Sequence, residues 1–353
     1  METNVSSQKH IAYFDGLRAL ACISVIVLHS AAYVLQRLPL NSLNFWVGNF
    51  FDSATRFAVP IFVMLSGALM LDEGYRFTRE KLWKHIKSMV CFFVFWSVLY
   101  FLVFGVAIPL VSHTPIDPVK AVFMLVRGYY HLWFVPMIIG CYLMVPLLRL
   151  WVKQENIRYV KYFLILGIAF GVLLPEAVDI LTVYHPRAAE FSNIIQRWDI
   201  HYAVGYISYF VCGWYLTRIK ISNPAAAAMT IAGWLITCIG TYILSLNSLE
   251  QGTVIKVLYG NMTVNVYMLA VGIFCLYKNN RSTAGALEKK ICRYSLGIYA
   301  LQSLIISITG MVLLHFGIDQ GIIVFPVCVL LTMGLSLLIG MAGIHIPGFS
   351  KLI

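Results

Sequence analysis

An all-α polytopic membrane protein, with about ten transmembrane helices and both termini in the cytoplasm, is the fold class this sequence predicts. Three observations predict it: a composition too apolar for a soluble domain, ten apolar runs of spanning length, and a lopsided placement of Lys and Arg. Of 353 residues, 60% are hydrophobic and 12% charged, and the mean hydropathy is +0.81. A soluble domain carries about 25% charged residues.

Crossing the hydrocarbon takes about 20 residues. Runs of that kind lie near 12–36, 49–71, 87–111, 131–150, 159–178, 200–218, 226–247, 257–277, 294–316 and 321–344. The first is a full span with no small-residue cleavage site behind it, so it is expected to stay in the mature chain. The fifth ends at "LLPEAVD". Counted over alternate loops, 18 of the 26 Lys and Arg fall on one side and 7 on the other, with Arg18 left inside the first span. Positive charge marks the cytoplasmic side. The net charge of +11 is therefore a topology signal rather than a nucleic-acid footprint, and the expected surroundings are membrane lipid with no nucleic acid. Residues 1–353 show no internal repeat or linker and read as one domain.

Eight cysteines are scattered without a C-x-x-C pair or zinc spacing. Seven fall in apolar stretches, where cysteine packs as a small hydrophobe. Neither a disulfide nor a metal site is predicted. All fifteen carboxylates are expected in loops or near span ends.

The first span, "FDGLRALACISVIVLHSAAY", holds two residues that are costly in hydrocarbon, Arg18 and His29. Eleven residues at about 100° each bring them within ~20° of one face, ~16 Å apart along the axis. Asp15, Cys22, Ile26 and Tyr33 lie on the same stripe. One reading has Arg18 snorkelling beside Asp15 and His29 hydrogen-bonded between helices. The other is a tunnel with a cationic cytoplasmic mouth and a base at its far end, suited to a long anionic cofactor. After the second span, "YRFTREKLWKHIK" carries Arg76 and Arg79. Three apart on a helix, they would share a face and clamp phosphates; as ordinary cytoplasmic charge they need no ligand.

These segments together resemble the acyltransferase-3 family of bacterial membrane proteins that O-acylate envelope glycans. The family's Arg-x10-His pair matches Arg18 and His29, and its Arg-x-x-Arg matches Arg76 and Arg79. "VPIFVMLSGALM" matches its Pro-x-Phe…Ser-Gly segment with Pro60, Phe62, Ser66 and Gly67. "YYHLWFVP" matches its His-Leu-Trp-Phe segment with His131, Leu132, Trp133 and Phe134. "YSLGIYALQSLI" matches a late Ser-Leu-Gly-Ile-Tyr segment, but Gln302 stands where many relatives carry histidine. The likeness runs from about residue 10 to 345. By length and by the last two segments it is strongest to the enterobacterial common antigen O-acetyltransferase branch.

The resemblance implies a multi-pass enzyme of the bacterial cytoplasmic membrane with no permanently bound cofactor. Acetyl-CoA would serve as acyl-donor substrate, and a hydroxyl of a glycan or lipid-linked sugar would be the acceptor. A tunnel of unknown width would also admit succinyl. His29 would act as base, since histidine suits proton removal near neutral pH, or else as transient acyl carrier. Arg18 would be catalytic together with His29 and, with Arg76 and Arg79, would hold the donor, with Asp15 beside Arg18. Glutamine cannot serve as a base, so Gln302 puts more of that work on His29. Ser66, His131 and Trp133 are candidate oxyanion donors, with core packing as the plainer alternative. Trp198, Asp199, His201 and Tyr202 head the sixth span, suited to sugar faces or to an interfacial aromatic belt. A transporter or flippase of a glycan precursor is the competing class. The expected absence of mid-membrane carboxylates and of a two-half repeat argues against it.

Overall fold

The structure, a computed structural model, describes residues 12–35, 42–188, 190–191, 193–194, 200–246, 255–281, 283–343 and 345. Among the described residues, nine helical segments are long and apolar enough to cross a membrane. The first is α1 (Ala12–Leu35). The second combines α2 (Leu43–Thr55) and α3 (Ala58–Met70), joined by Arg56 and Phe57 in near-helical conformation. Next come α4 (Arg79–Tyr100), the amphipathic α5 (Pro118–Arg127) and α6 (Phe134–Trp151). The pair α7 (Ile157–Ile168) and α8 (Leu174–Tyr184) follows, then α9 (Ile200–Arg218), α10 (Asn223–Leu246) and α11 (Val264–Asn280). The short α12 (Ala286–Arg293) leads into α13 (Ser295–His315) and α14 (Gly321–Gly343).

The tenth expected span is α9. Its tyrosines, Trp214, His201 and Arg218 hold its hydropathy below that of the other nine, and the helix is interrupted at Gly205. Two expected boundaries are corrected. The second span begins at Leu43, because Ser42 accepts a hydrogen bond from the Phe45 N–H (3.1 Å) and starts the helix there. The fifth runs through the π-helical turn Ala169–Leu173 to Tyr184 instead of stopping near 178. Pro175 sits at the start of α8, where its missing N–H does least harm.

These extensions overturn the expectation that every carboxylate lies in a loop or near a span end. Asp52, fully buried, is now inside the α2–α3 run, and the buried Glu176 lies well inside the α7–α8 run. Glu176 has a local structural partner: its Oε2 accepts from the Val264 N–H (2.8 Å), capping the first turn of α11.

Helix α1 is the axle of the bundle, packed by α2, α3, α11, α12, α13 and α14. On the opposite side of α3, α9 approaches so closely that glycine is required on both helices. A Cβ on Gly67 would lie 1.7 Å from the Phe210 carbonyl oxygen, and one on Gly213 1.9 Å from that of Met64. Several basic residues that read as topology signals also close helix ends. Arg149 donates to the carbonyls of Met70 (2.8 Å), Asp72 (2.9 Å) and Tyr75 (3.3 Å) after α3. Lys278 does the same for Leu216 and Ile219 at the end of α9. Such cations satisfy the orphan carbonyls of a last turn.

Candidate active site

The two polar residues of α1 meet different surroundings. At its start, Arg18 Nη1 donates to Cys292 Sγ (3.4 Å), whose thiol points to Asp15 Oδ1 (3.4 Å). Cys292 is thus built into the polar cluster that the sequence assigned to Arg18 and Asp15 alone. At the far end, the His29 ring lies edge-on to Tyr130 (5.4 Å between centroids) and His131 (6.2 Å), with Gln302 alongside. His131 and Gln302 are fully buried. Among the described residues, His29 Nδ1, both ring nitrogens of His131 and both amide atoms of Gln302 have no partner at full hydrogen-bond geometry, with Gln302 in looser hydrogen-bonding reach of His29 and the Ala300 backbone in looser reach of His131. Buried polar atoms are nearly always satisfied, so this under-satisfied cluster of two imidazoles and an amide is the candidate catalytic centre.

Local structure explains how these residues converge. Gly128 turns the chain at φ +77°, a conformation glycine adopts without penalty, just before the Tyr129–Trp133 stretch. Tyr129 stacks on Tyr100 (4.6 Å) and Phe104 (4.7 Å), and Leu132 is fully buried beneath. Tyr299 donates to the His131 carbonyl (2.6 Å), and Ser303 donates to the Tyr130 hydroxyl (3.1 Å), tying this loop to α13. Tyr100 goes further. Its hydroxyl donates to the Ala300 carbonyl (2.7 Å) and accepts from the Leu304 N–H (3.0 Å). Those two backbone groups are an i, i−4 pair of the helix, so the Tyr100 hydroxyl bridges the turn of α13 that carries Gln302.

The remaining candidates go elsewhere. Trp133 turns away from His29, its ring 5.6 Å from that of Tyr206. Ser66 lies toward the Arg18 end, where Tyr142 donates to it (3.4 Å) and where Tyr142 is in electrostatic reach of Arg18 and Tyr75. Trp198 and Asp199 lie outside the described residues, as do the side chains of His201 and Tyr202.

A cavity of about 440 Å³ opens next to that end, lined by Tyr75, Phe77, Lys81, Lys84, His85 and Ser88 among others. The His85 ring faces Tyr142 at 5.0 Å, joining the cavity wall to the Ser66–Arg18 region. The expected helical clamp of Arg76 and Arg79 is corrected here. Thr78 accepts from the Lys81 N–H (3.2 Å) and starts α4 at Arg79, so Arg76 stays outside the helix. Both arginines are exposed and stand beside the cavity, while Lys81 and Lys84 line it. Hydropathy and loop counting register a basic stretch without telling wall from rim.

One charged pair was not singled out from the sequence at all. Asp52, on α2, is ion-paired to Arg56 Nε. Arg56 Nη1 donates to the Tyr259 carbonyl (2.7 Å), and the guanidinium lies 4.5 Å from the Tyr259 ring centroid. Arg56 is within electrostatic reach of His29. The i, i+4 spacing of Asp52 and Arg56 is the one signal in the sequence that could have found it.

In comparison with known families, the acyltransferase-3 family model, described as an acyltransferase domain, matches residues 11–341. No curated protein and no solved structure matches the chain.

Proposed function

The chain belongs to the acyltransferase-3 family, and on that premise we propose that it is an integral membrane O-acetyltransferase, taking acetyl from cytoplasmic acetyl-CoA to a hydroxyl of an envelope glycan or lipid-linked sugar. The enterobacterial common antigen branch supplies the first acceptor to try, and the bacterial cytoplasmic membrane is the proposed location. The observation that carries the reading is the buried cluster of His29, His131 and Gln302, whose ring and amide atoms are under-satisfied among the described residues. A basic cavity at the other end of α1 supports it.

Lys81 and Lys84 would meet the phosphates of CoA at the mouth, with Arg76 and Arg79 adding charge at the rim. The pantetheine arm would pass Tyr142, Ser66 and Arg18, the arginine held by Cys292, and bring the thioester to His29. There the open Nδ1 of His29 takes the proton of the acceptor hydroxyl as its oxygen attacks the thioester carbonyl. The C–S bond breaks and CoA leaves as thiolate, to be protonated by the imidazolium. The Gln302 amide, and His131 in the tautomer that donates toward the site, are the oxyanion donors nearest to hand. Ser66, bonded by Tyr142, and Trp133, packed on Tyr206, are the further candidates for that role.

CoA release by inverted membrane vesicles, with an envelope extract as acceptor, tests the reading. Wild type should release CoA only with extract, and His29→Ala should fall to the level of empty vesicles. Acetyl label retained on the protein without extract would select the acyl-histidine route. Full activity in His29→Ala would overturn both.

A further inference from the structure

The reaction needs a place for the acceptor as well as the donor, and the α2–α3 run carries a candidate. Asp52 and Arg56 form an ion pair in which the Asp52 side chain is 1% exposed and the Arg56 side chain 17% exposed. Their neighbours are committed elsewhere. Asn49 donates to the Cys238 carbonyl (3.1 Å), Ser53 donates to Asn49 Oδ1 (3.1 Å), and the Tyr259 hydroxyl donates to that same oxygen. The pair itself is not used up. Among the described residues, Asp52 Oδ2 is buried without a hydrogen-bond partner, with Lys256 in electrostatic reach, and Arg56 makes its hydrogen bonds through Nε and Nη1, leaving Nη2.

Depth agrees with a role next to His29. Ser66 lies near Arg18, and ten helical residues from Ser66 to Arg56 rise ~15 Å, against ~16 Å from Arg18 to His29. That rise puts Arg56 at about the depth of His29, in whose electrostatic reach it lies, and Asp52 about a turn further along the helix.

The open groups select a ligand class. A cation would be repelled by the guanidinium and by Lys256, which is in electrostatic reach of Asp52, and an anion would meet the open carboxylate oxygen. A hydroxyl both donates and accepts. Two neighbouring hydroxyls of a sugar ring satisfy an open carboxylate oxygen and an open guanidinium nitrogen held rigidly side by side. We propose that Asp52 and Arg56 form the acceptor subsite, gripping adjacent sugar hydroxyls so that another hydroxyl of the acceptor meets His29. The proposal rests on the transferase reading above.

The test uses the full chain in lipid nanodiscs and follows CoA release while two concentrations are varied separately. One is acetyl-CoA; the other is a total glycolipid extract of the source organism's membranes. Asp52→Asn and Arg56→Lys should each raise the half-saturating extract concentration at least tenfold while shifting half-saturation by acetyl-CoA less than twofold. Arg56→Lys keeps the positive charge opposite Asp52 and so guards against a variant that fails to fold. The exchanged double variant, Asp52→Arg with Arg56→Asp, rebuilds an ion pair with its open atoms transposed. It should remain poor in extract saturation, whereas a purely structural pair would be rescued by it. Loss of maximal rate with unchanged half-saturation, or equal shifts for both substrates, would overturn the subsite. If wild type shows no extract-dependent release, the transferase reading has failed first and the subsite falls with it.

Discussion

Gly67→Ala offers the sharpest test of how the bundle positions its site. The substitution adds one methyl group at the α3–α9 crossing, where it would lie 1.7 Å from the Phe210 carbonyl oxygen and 2.5 Å from its carbon. Real Cβ atoms essentially never come within 3.0 Å of a neighbour, and ordinary contact lies at 3.4–4 Å, so the helices must part by at least about 1.3 Å, and the obstacle is backbone that no rotamer change can move. Overpacking of this kind costs about 1–3 kcal/mol, against a gain of at most ~1 kcal/mol from replacing glycine in a helix. With backbone as the obstacle the upper end applies, leaving a net loss of about 2 kcal/mol. Ser66, the preceding residue and part of the proposed pantetheine path, moves with the helix, and a ~1 Å misplacement of substrate caused from afar can cost up to ~100-fold in rate. The assay is the thermal midpoint of the detergent-solubilised chain, together with CoA release in vesicles. Gly140→Ala is the control, since a Cβ there meets nothing within 4 Å. Gly67→Ala should lower the midpoint by several degrees and the rate at least tenfold. A variant indistinguishable from Gly140→Ala in both readouts would refute the close-approach argument.

Two further outcomes separate positioning from binding. Tyr100→Phe removes the hydroxyl that bridges Ala300 and Leu304, while the helix keeps its own ladder, at a net cost of about 0.5–1.5 kcal/mol per hydrogen bond lost. The thermal midpoint should fall by a few degrees at most while CoA release falls about tenfold as Gln302 turns; an unchanged rate would detach Gln302 from the chemistry. Lys81→Glu with Lys84→Glu reverses the charge of the cavity wall, and half-saturation by acetyl-CoA should rise at least tenfold, with a gap that narrows as salt screens it. Identical donor saturation would move the phosphates elsewhere, to Arg76 and Arg79.

What the sequence by itself determined is local and periodic. Hydropathy summed along 20 residues located the spans, because each must be apolar on its own account to sit in lipid. The helical repeat placed Arg18 and His29 on one stripe, because eleven residues close three turns. Both are properties of one segment at a time. The tertiary structure alone decided which residues of the matched segments belong together. Of the pair two residues apart, His131 joined His29 and Trp133 turned to Tyr206. Ser66 went to the Arg18 end through Tyr142, and Gln302 gained its place beside His29 with Tyr100 bridging its turn of the helix. Asp52 and Arg56 escaped notice because a charged pair near an expected span boundary looks like interface. Extending α2 by six residues put the pair inside the bundle. These partnerships depend on how closely particular helices approach. That is set where small residues face backbone, as at Gly67 and Gly213, and no periodicity within a single helix encodes the partner it will meet.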